Sequence, residues 1–343
     1  MIIFENEDLL KVEADMSVIP AHTLTFSENA LYVAEAIERD FNEMIKNIGI
    51  NELAVYESTG MQIVYEGEKL KSFKEAIIKF FQEMWKKIKA AFEAVMVKFN
   101  ELRKKVNKLL PKITSSDLDK LDDDKKFGKT HKFGELGDSK SYGDNATKYA
   151  KKVSDEFEKL SKKTDLQSNE ISEKKEELEK NICSEVSGIS GVETVSDMTS
   201  KMVEELMGEE VEVDKKFVKD NLTTINDVVM NGSTVGEIKK FYTTSRKFID
   251  TCISEAKKYT DERAKTMNAE VAVLKSISQT MNSAKGKALD IYKRRFSEYR
   301  NILVRVAIAL GKITKEEKEQ LTSNNESTIV SKQLDLIESA FDF

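Results

Sequence analysis

The chain has 343 residues, 40% hydrophobic and 34% charged, with a formal net charge of −6. That length allows two or three units and a sizeable core, and so high a charged fraction suits elongated helical bundles, whose surface is large for the core they enclose. Two cysteines, Cys183 and Cys252, lie at no metal-like spacing and argue against a disulfide scaffold, and no run of about 18 uncharged apolar residues offers a spanning helix.

Charge is unevenly placed. Residues 1–68 hold 14 acids and three bases, whereas residues 69–112 hold 13 bases and four acids. An acidic head beside a basic segment can be neutralised internally or can attract a partner. Met1 to Phe4 is followed at once by Glu5, Glu7 and Asp8, so no secretory signal is read here. The glycosylation-like tripeptides at Asn145, Asn221, Asn231 and Asn325 are then chance matches.

Residues 1–25 are irregular. Ser27 is a candidate N-cap for a helix through Leu31, Ala34, Ile37, Phe41 and Ile45, stopped near Gly49. The echo Val55-Tyr56-Glu57 and Val64-Tyr65-Glu66 around Ser58-Thr59-Gly60 predicts one short β-hairpin within 53–66.

From Phe73 to Leu109 an apolar residue recurs at the helical step: Phe73, Ile77, Phe80, Met84, Ile88, Ala91, Val95, Phe99, Leu102, Val106 and Leu109. Phe81, Trp85, Phe92 and Met96 widen the stripe, and lysines fill the space between the rows. The pattern predicts one long basic helix over 69–111, ended by Pro111 because the residue before a proline is pushed out of the helical region. The interaction face is Phe73, Ile77, Phe80, Phe81, Met84, Trp85, Ile88, Phe92 and Phe99. It suits packing against other helices; insertion at a membrane surface and contact with nucleic-acid phosphates are the alternatives. The acids within the segment, and lysine in place of arginine, weaken the nucleic-acid reading.

Residues 112–145, rich in Asp, Gly, Lys and Ser, read as a mobile linker. A charged helical body over 146–322 follows. It opens with a weakly packed, coiled-coil-like arm through Val153, Phe157, Leu160, Ile171, Leu178 and Ile182, then a turn at Ser187 to Gly191. Helices are expected at 196–207 and 215–230. No proline interrupts the run that follows, from Val235 through Phe241, Cys252, Tyr259, Met267 and Leu274 to Leu310. It reads as one helix of about 120 Å or as a hairpin broken near Gly286. The tail 323–343 places Leu334, Ile337, Phe341 and Phe343 on an amphipathic face that calls for docking.

Site chemistry is sparse. His22 and His131 have no carboxylate or cysteine at ligand spacing, which speaks against a metal centre or a triad. Gly128-Lys129-Thr130 ends like a phosphate loop, but Asp123 stands where that loop needs its first glycine. Paired glutamates such as Glu176-Glu177 and Glu204-Glu205 read as solvated surface. No cofactor is expected, and no enzymatic activity.

The order of parts is informative: an acidic helix, then Glu66-Gly67-Glu68-Lys69, then Phe80-Phe81-Gln82-Glu83-Met84-Trp85-Lys86-Lys87-Ile88-Lys89, and at the end Ile337-Glu338-Ser339-Ala340-Phe341. Over roughly residues 25–110 and the last ten it resembles virion structural proteins of large tailed bacteriophages of Gram-positive hosts. The helical periodicity predicts an all-α, elongated multi-helix bundle, and the resemblance implies a non-enzymatic protein made in the host cytoplasm and carried in the particle, inside the capsid or at the tail. Its partners would be its own copies or other virion proteins. It also implies cleavage after glutamate by a head-maturation protease, for which Glu13 and Glu66 are candidates, although Lys11 and Val64 depart from the preferred upstream Leu or Ile. A membrane-active protein delivered to the host is the alternative function, and a DNA-condensing internal protein a third.

Overall fold

The computed structural model describes residues 68–134 and 141–313. The candidate helix after Ser27, the candidate hairpin at 53–66, Glu13, Glu66 and the tail with Leu334, Ile337, Phe341 and Phe343 lie outside the described residues.

The fold is all-α. Helix α1 (Glu68–Leu109) runs for 42 residues and stops just before Pro111, as the restriction on pre-proline residues requires. A short helix α2 (Ser115–Leu118) starts at a capping box, in which Thr114 and Asp117 satisfy each other's backbone N–H groups. Strand β1 (Lys126–His131) comes next. Helices α3 (Tyr142–Ser161), α4 (Ser168–Lys180), α5 (Ile182–Ser187) and α6 (Val195–Met207) precede strand β2 (Glu210–Asp214) and helix α7 (Lys215–Asn226). A π-helical turn, Asp227–Asn231, leads to left-handed Gly232 and then to α8 (Ser233–Lys257) and α9 (Met267–Ala309).

Four of these helices, α1, α3, α8 and α9, share one core. Helices α1 and α8 are antiparallel: Lys74 donates to the Tyr259 carbonyl just past the end of α8, and Arg103 and Asn107 reach the carbonyls of Asn231 and Met230 just before its start. Helix α1 runs in the direction of α9, with Met84 beside Ser278 and Phe99 edge-on to Phe296. Helix α3 runs against α9, with Ser154 bonded to Glu270 at one end and Gly143 facing Lys285 at the other. Helices α4, α5 and α6 cover the remaining side of α9.

The structure departs from the sequence reading in four places. The segment read as a linker contains α2 and β1 and sends Leu118, Leu121 and Phe127 into the core; these apolar residues are too sparse to outweigh the local charge in a sequence window. The segment read as one weakly packed arm is three helices: α3 is central, with Val153 and Phe157 fully buried, whereas α4 buries only Leu178 and fits the reading. The described strand pair joins β1 to β2, about 80 residues apart in sequence and antiparallel, with Lys129 opposite Glu212 and Thr130 opposite Val211. Its signal was the strict alternation Glu210-Val211-Glu212-Val213. Finally, the long run breaks at residues 258–266, and Gly286 lies buried inside α9.

Candidate functional site

The interaction face is consumed within the chain. Phe73, Ile77, Phe80, Phe81, Met84, Trp85, Ile88, Phe92 and Phe99 are all buried. Trp85 packs on Tyr242 at 5.0 Å between ring centroids and lies under the Arg246 guanidinium at 5.1 Å. The opposite side of α1 exposes Lys71, Lys79, Lys86, Lys89, Lys104 and Lys108. Lys86 pairs with Glu83 and Lys89 with Glu93 along the helix; exposed pairs of this kind contribute little to stability.

Three polar clusters inside the bundle escaped sequence reading. The first joins β1 to α9. Glu298 accepts from the His131 backbone N–H at 2.9 Å, from Thr130 Oγ1 at 2.9 Å and from the His131 ring at 3.0 Å, and Arg294 donates to it at 3.0 Å. His131 therefore has a carboxylate partner, one that lies 167 residues away and is invisible to ligand spacing. Burial by itself pushes the Glu298 carboxyl up; the four donors outweigh it and hold the group below the usual glutamate value. Farther along the same strand, Arg305 donates to the Phe127 carbonyl at 2.8 Å. Gly128 makes that possible: its φ is +100°, and a Cβ there would fall 1.7 Å from Arg305 Nη1. The glycine of the phosphate-loop echo thus serves an arginine on α9.

The second cluster closes the corner between α8 and α9. Arg263 and Glu270 form a two-point ion pair at 2.8 and 3.2 Å, with both side chains buried. Ser154 of α3 donates to Glu270 and receives Arg263 at 2.8 Å, and the Arg263 guanidinium lies over the Tyr259 ring at 4.9 Å. Burial raises the Glu270 carboxyl to about 7, against the pull of Arg263 and Ser154. Burial likewise pushes the neighbouring Cys252 thiol well above its ordinary value. A thiol kept protonated and enclosed is a poor nucleophile.

The third cluster is Lys285, a fully buried lysine. Its amine donates to the Phe241 carbonyl at 3.1 Å, Thr244 Oγ1 at 3.1 Å and Ser245 Oγ at 2.7 Å. Three acceptors match three N–H donors. Burial nevertheless drives its pKa well below the lysine value. Gly143 on α3 gives the amine room, since a Cβ there would lie 2.8 Å from Nζ and 2.4 Å from Thr244 Oγ1.

Among the described residues no group of three or more His, Cys, Asp or Glu side chains is placed to hold a metal ion, and no helix is long and apolar enough to cross a membrane. A surface cleft of about 640 Å³ lies between the Ser187–Ser190 turn and Lys201–Leu206 of α6, and its lining mixes polar and apolar groups. Comparison with known proteins gives no match, whether with family models, with curated proteins or with solved structures.

Proposed function

We propose that this protein is a non-enzymatic structural component of a phage particle, acting through helix–helix assembly. The observation that supports this reading best is how α1 is used. Its apolar side is spent on the chain's own bundle, and its outer side exposes Lys71, Lys79, Lys86, Lys89, Lys104 and Lys108 in excess over Glu75, Glu83, Glu93 and Glu101. A rigid, charged rail suits docking of an oppositely charged surface. The same sequence holds a segment of opposite sign, because residues 1–68 carry 14 acids against three bases. The partner class is therefore an acidic protein segment, from a second copy or from another particle protein.

Sedimentation velocity across protein and salt concentration tests this. Reversible oligomers at low salt that dissociate as salt rises are the expected result. A monomer under every condition overturns it. Mass spectrometry of purified particles then reports whether the chain is carried in them and where its N-terminus lies after maturation.

Insertion at a membrane is the second reading, and it demands that α1 leave the bundle, since Phe81, Trp85 and Phe92 are buried. Co-sedimentation with liposomes distinguishes it. For the third, DNA condensation, the signature is an affinity that falls steeply with salt.

A further inference from the structure

The break between α8 and α9 is marked by neither of the usual helix breakers. Some helices of the chain end or begin at a left-handed glycine, as α5 does at Gly188 and α8 at Gly232, whereas α3 ends at right-handed Lys162 and α4 meets α5 at right-handed Asn181. Residues 258–266 contain neither glycine nor proline. Where α8 ends, Lys258 stays right-handed helical (φ −83°, ψ −6°); Glu262 (φ −62°, ψ −42°) and Thr266 (φ −108°, ψ −7°) are right-handed too. Thr266 makes no side-chain cap for α9. One helical bond, from the Ala264 N–H to the Thr260 carbonyl, already sits inside the corner.

The apolar stripe also runs through the corner without a phase change. Cys252, Ala256, Tyr259, Arg263, Met267, Glu270, Leu274, Ile277 and Met281 are all buried and recur at a mean step of about 3.6, the repeat of an unbroken helix. Two of the nine, Arg263 and Glu270, are the buried ion pair, which with Ser154 of α3 fastens the corner down. A buried ion pair adds little net stability but is costly to break by halves, so it specifies an arrangement more than it strengthens one.

The folded-back packing also leaves one polar side chain of α9 unserved. Asn282 is fully buried, and neither its Nδ2 nor its Oδ1 has a hydrogen-bond partner among the described residues. Lys285, one turn on, is enclosed with no carboxylate in bonding distance among the described residues. Asn282 would find partners, and the Lys285 charge would be solvated, where this face of α9 met water or a polar partner.

We propose that the α8–α9 corner is a conditional break: residues Ser233–Ala309 have a second packing as one continuous helix, and the Arg263–Glu270–Ser154 clasp holds the folded-back form. Straightening would carry the far end of α9 away from α3 and expose its polar-seeded face for assembly. The device is independent of which partner the protein meets.

Distance measurement by pulsed electron paramagnetic resonance tests it on the full chain, with Cys183 and Cys252 replaced by alanine and spin labels at Lys240→Cys and Lys287→Cys. In the folded-back form the labels sit on helices whose side chains meet at Phe241 and Lys285, roughly 20–35 Å apart with label arms included. In one helix they would be separated by about 70 Å. Arg263→Leu removes the clasp and puts an apolar residue on the stripe. The expected result is a second peak near the long distance in at least about a tenth of molecules, with helical circular dichroism unchanged, that disappears when Asp261 and Glu262 are also made glycine. A distribution that stays short overturns the proposal. So does a broad distribution with loss of helix, which is local melting. Should Arg263→Leu fail to accumulate folded, Arg263→Lys decides: it keeps the charge without the two-point geometry, and the proposal requires a smaller long-distance peak from it.

Discussion

Glu298 holds His131 at two points, through the backbone N–H at 2.9 Å and through the ring at 3.0 Å. One carboxylate on α9 thus both satisfies an edge donor of β1 and fixes the side chain that follows from it. A two-stranded sheet is marginal by itself, so its position depends on this contact and on Arg305 at the other end of the strand.

Glu298→Ala should therefore loosen the sheet from α9. The expected loss is about 1–3 kcal/mol, because His131 N–H, Thr130 and Arg294 lose their shared acceptor. Urea unfolding measures it, and amide exchange at His131 should quicken more than exchange in α3. The Glu298 carboxyl is held below its ordinary 4.5 in the fold, so its contribution is fully present above that pH. It is lost as pH falls below 4.5 through the folded value.

Glu270 should show the opposite sign. Its carboxyl is raised from 4.5 to about 7 by burial, so between those values the folded chain binds a proton that the unfolded chain has released. Stability should fall as pH rises through that window, by at most roughly 3 kcal/mol, and level off above it. Glu270→Gln removes the ionisation. Unfolding free energies of the two proteins, subtracted at each pH, isolate the effect; a flat difference from pH 4.5 to 7 would contradict the assignment.

Lys285 is displaced downward by burial, so the unfolded chain binds the extra proton below about 10.5. Stability of the parent should rise as pH climbs from the folded value toward 10.5 on this account. Lys285→Met keeps the volume and removes the charge, and Ser245 can turn back to the Phe241 carbonyl one turn earlier. The variant should be more stable than the parent at pH 7 by about 1–3 kcal/mol, with the gap narrowing toward pH 10.

Two glycines offer a paired test. Gly143→Ala sets a methyl 2.4 Å from Thr244 Oγ1 and 2.8 Å from Lys285 Nζ, and should cost about 1–3 kcal/mol through overpacking. Gly236→Ala, within α8 and with nothing inside 4 Å of the new methyl, should instead gain up to about 1 kcal/mol of helix propensity. Thermal melts of the two variants should move in opposite directions.

The sequence made α1 legible because its apolar residues keep one phase from Phe73 to Val106 and Pro111 supplies a stop. It made α6 legible as well, from the turn at Ser187–Gly191 ahead of it, with the helix expected over 196–207 and found at Val195–Met207. The β1–β2 pair was illegible because its two strands come from distant segments, and β1 has one buried aromatic among lysines. Glu270, Lys285 and Glu298 were passed over for a related reason. A lone polar residue on or beside an apolar stripe does not declare whether it faces solvent or a partner brought in from 40 or 167 residues away.

Periodicity and the scarcity of proline and glycine determined by themselves that this chain would be helical, and which side of α1 would be hidden. What covers that side, where the last long run folds back, and which charges are enclosed were decided only in three dimensions. The reason is physical: a helix repeat is written in neighbours three and four residues apart, whereas burial of Arg263, Glu270 and Lys285 depends on elements that meet only once the bundle closes.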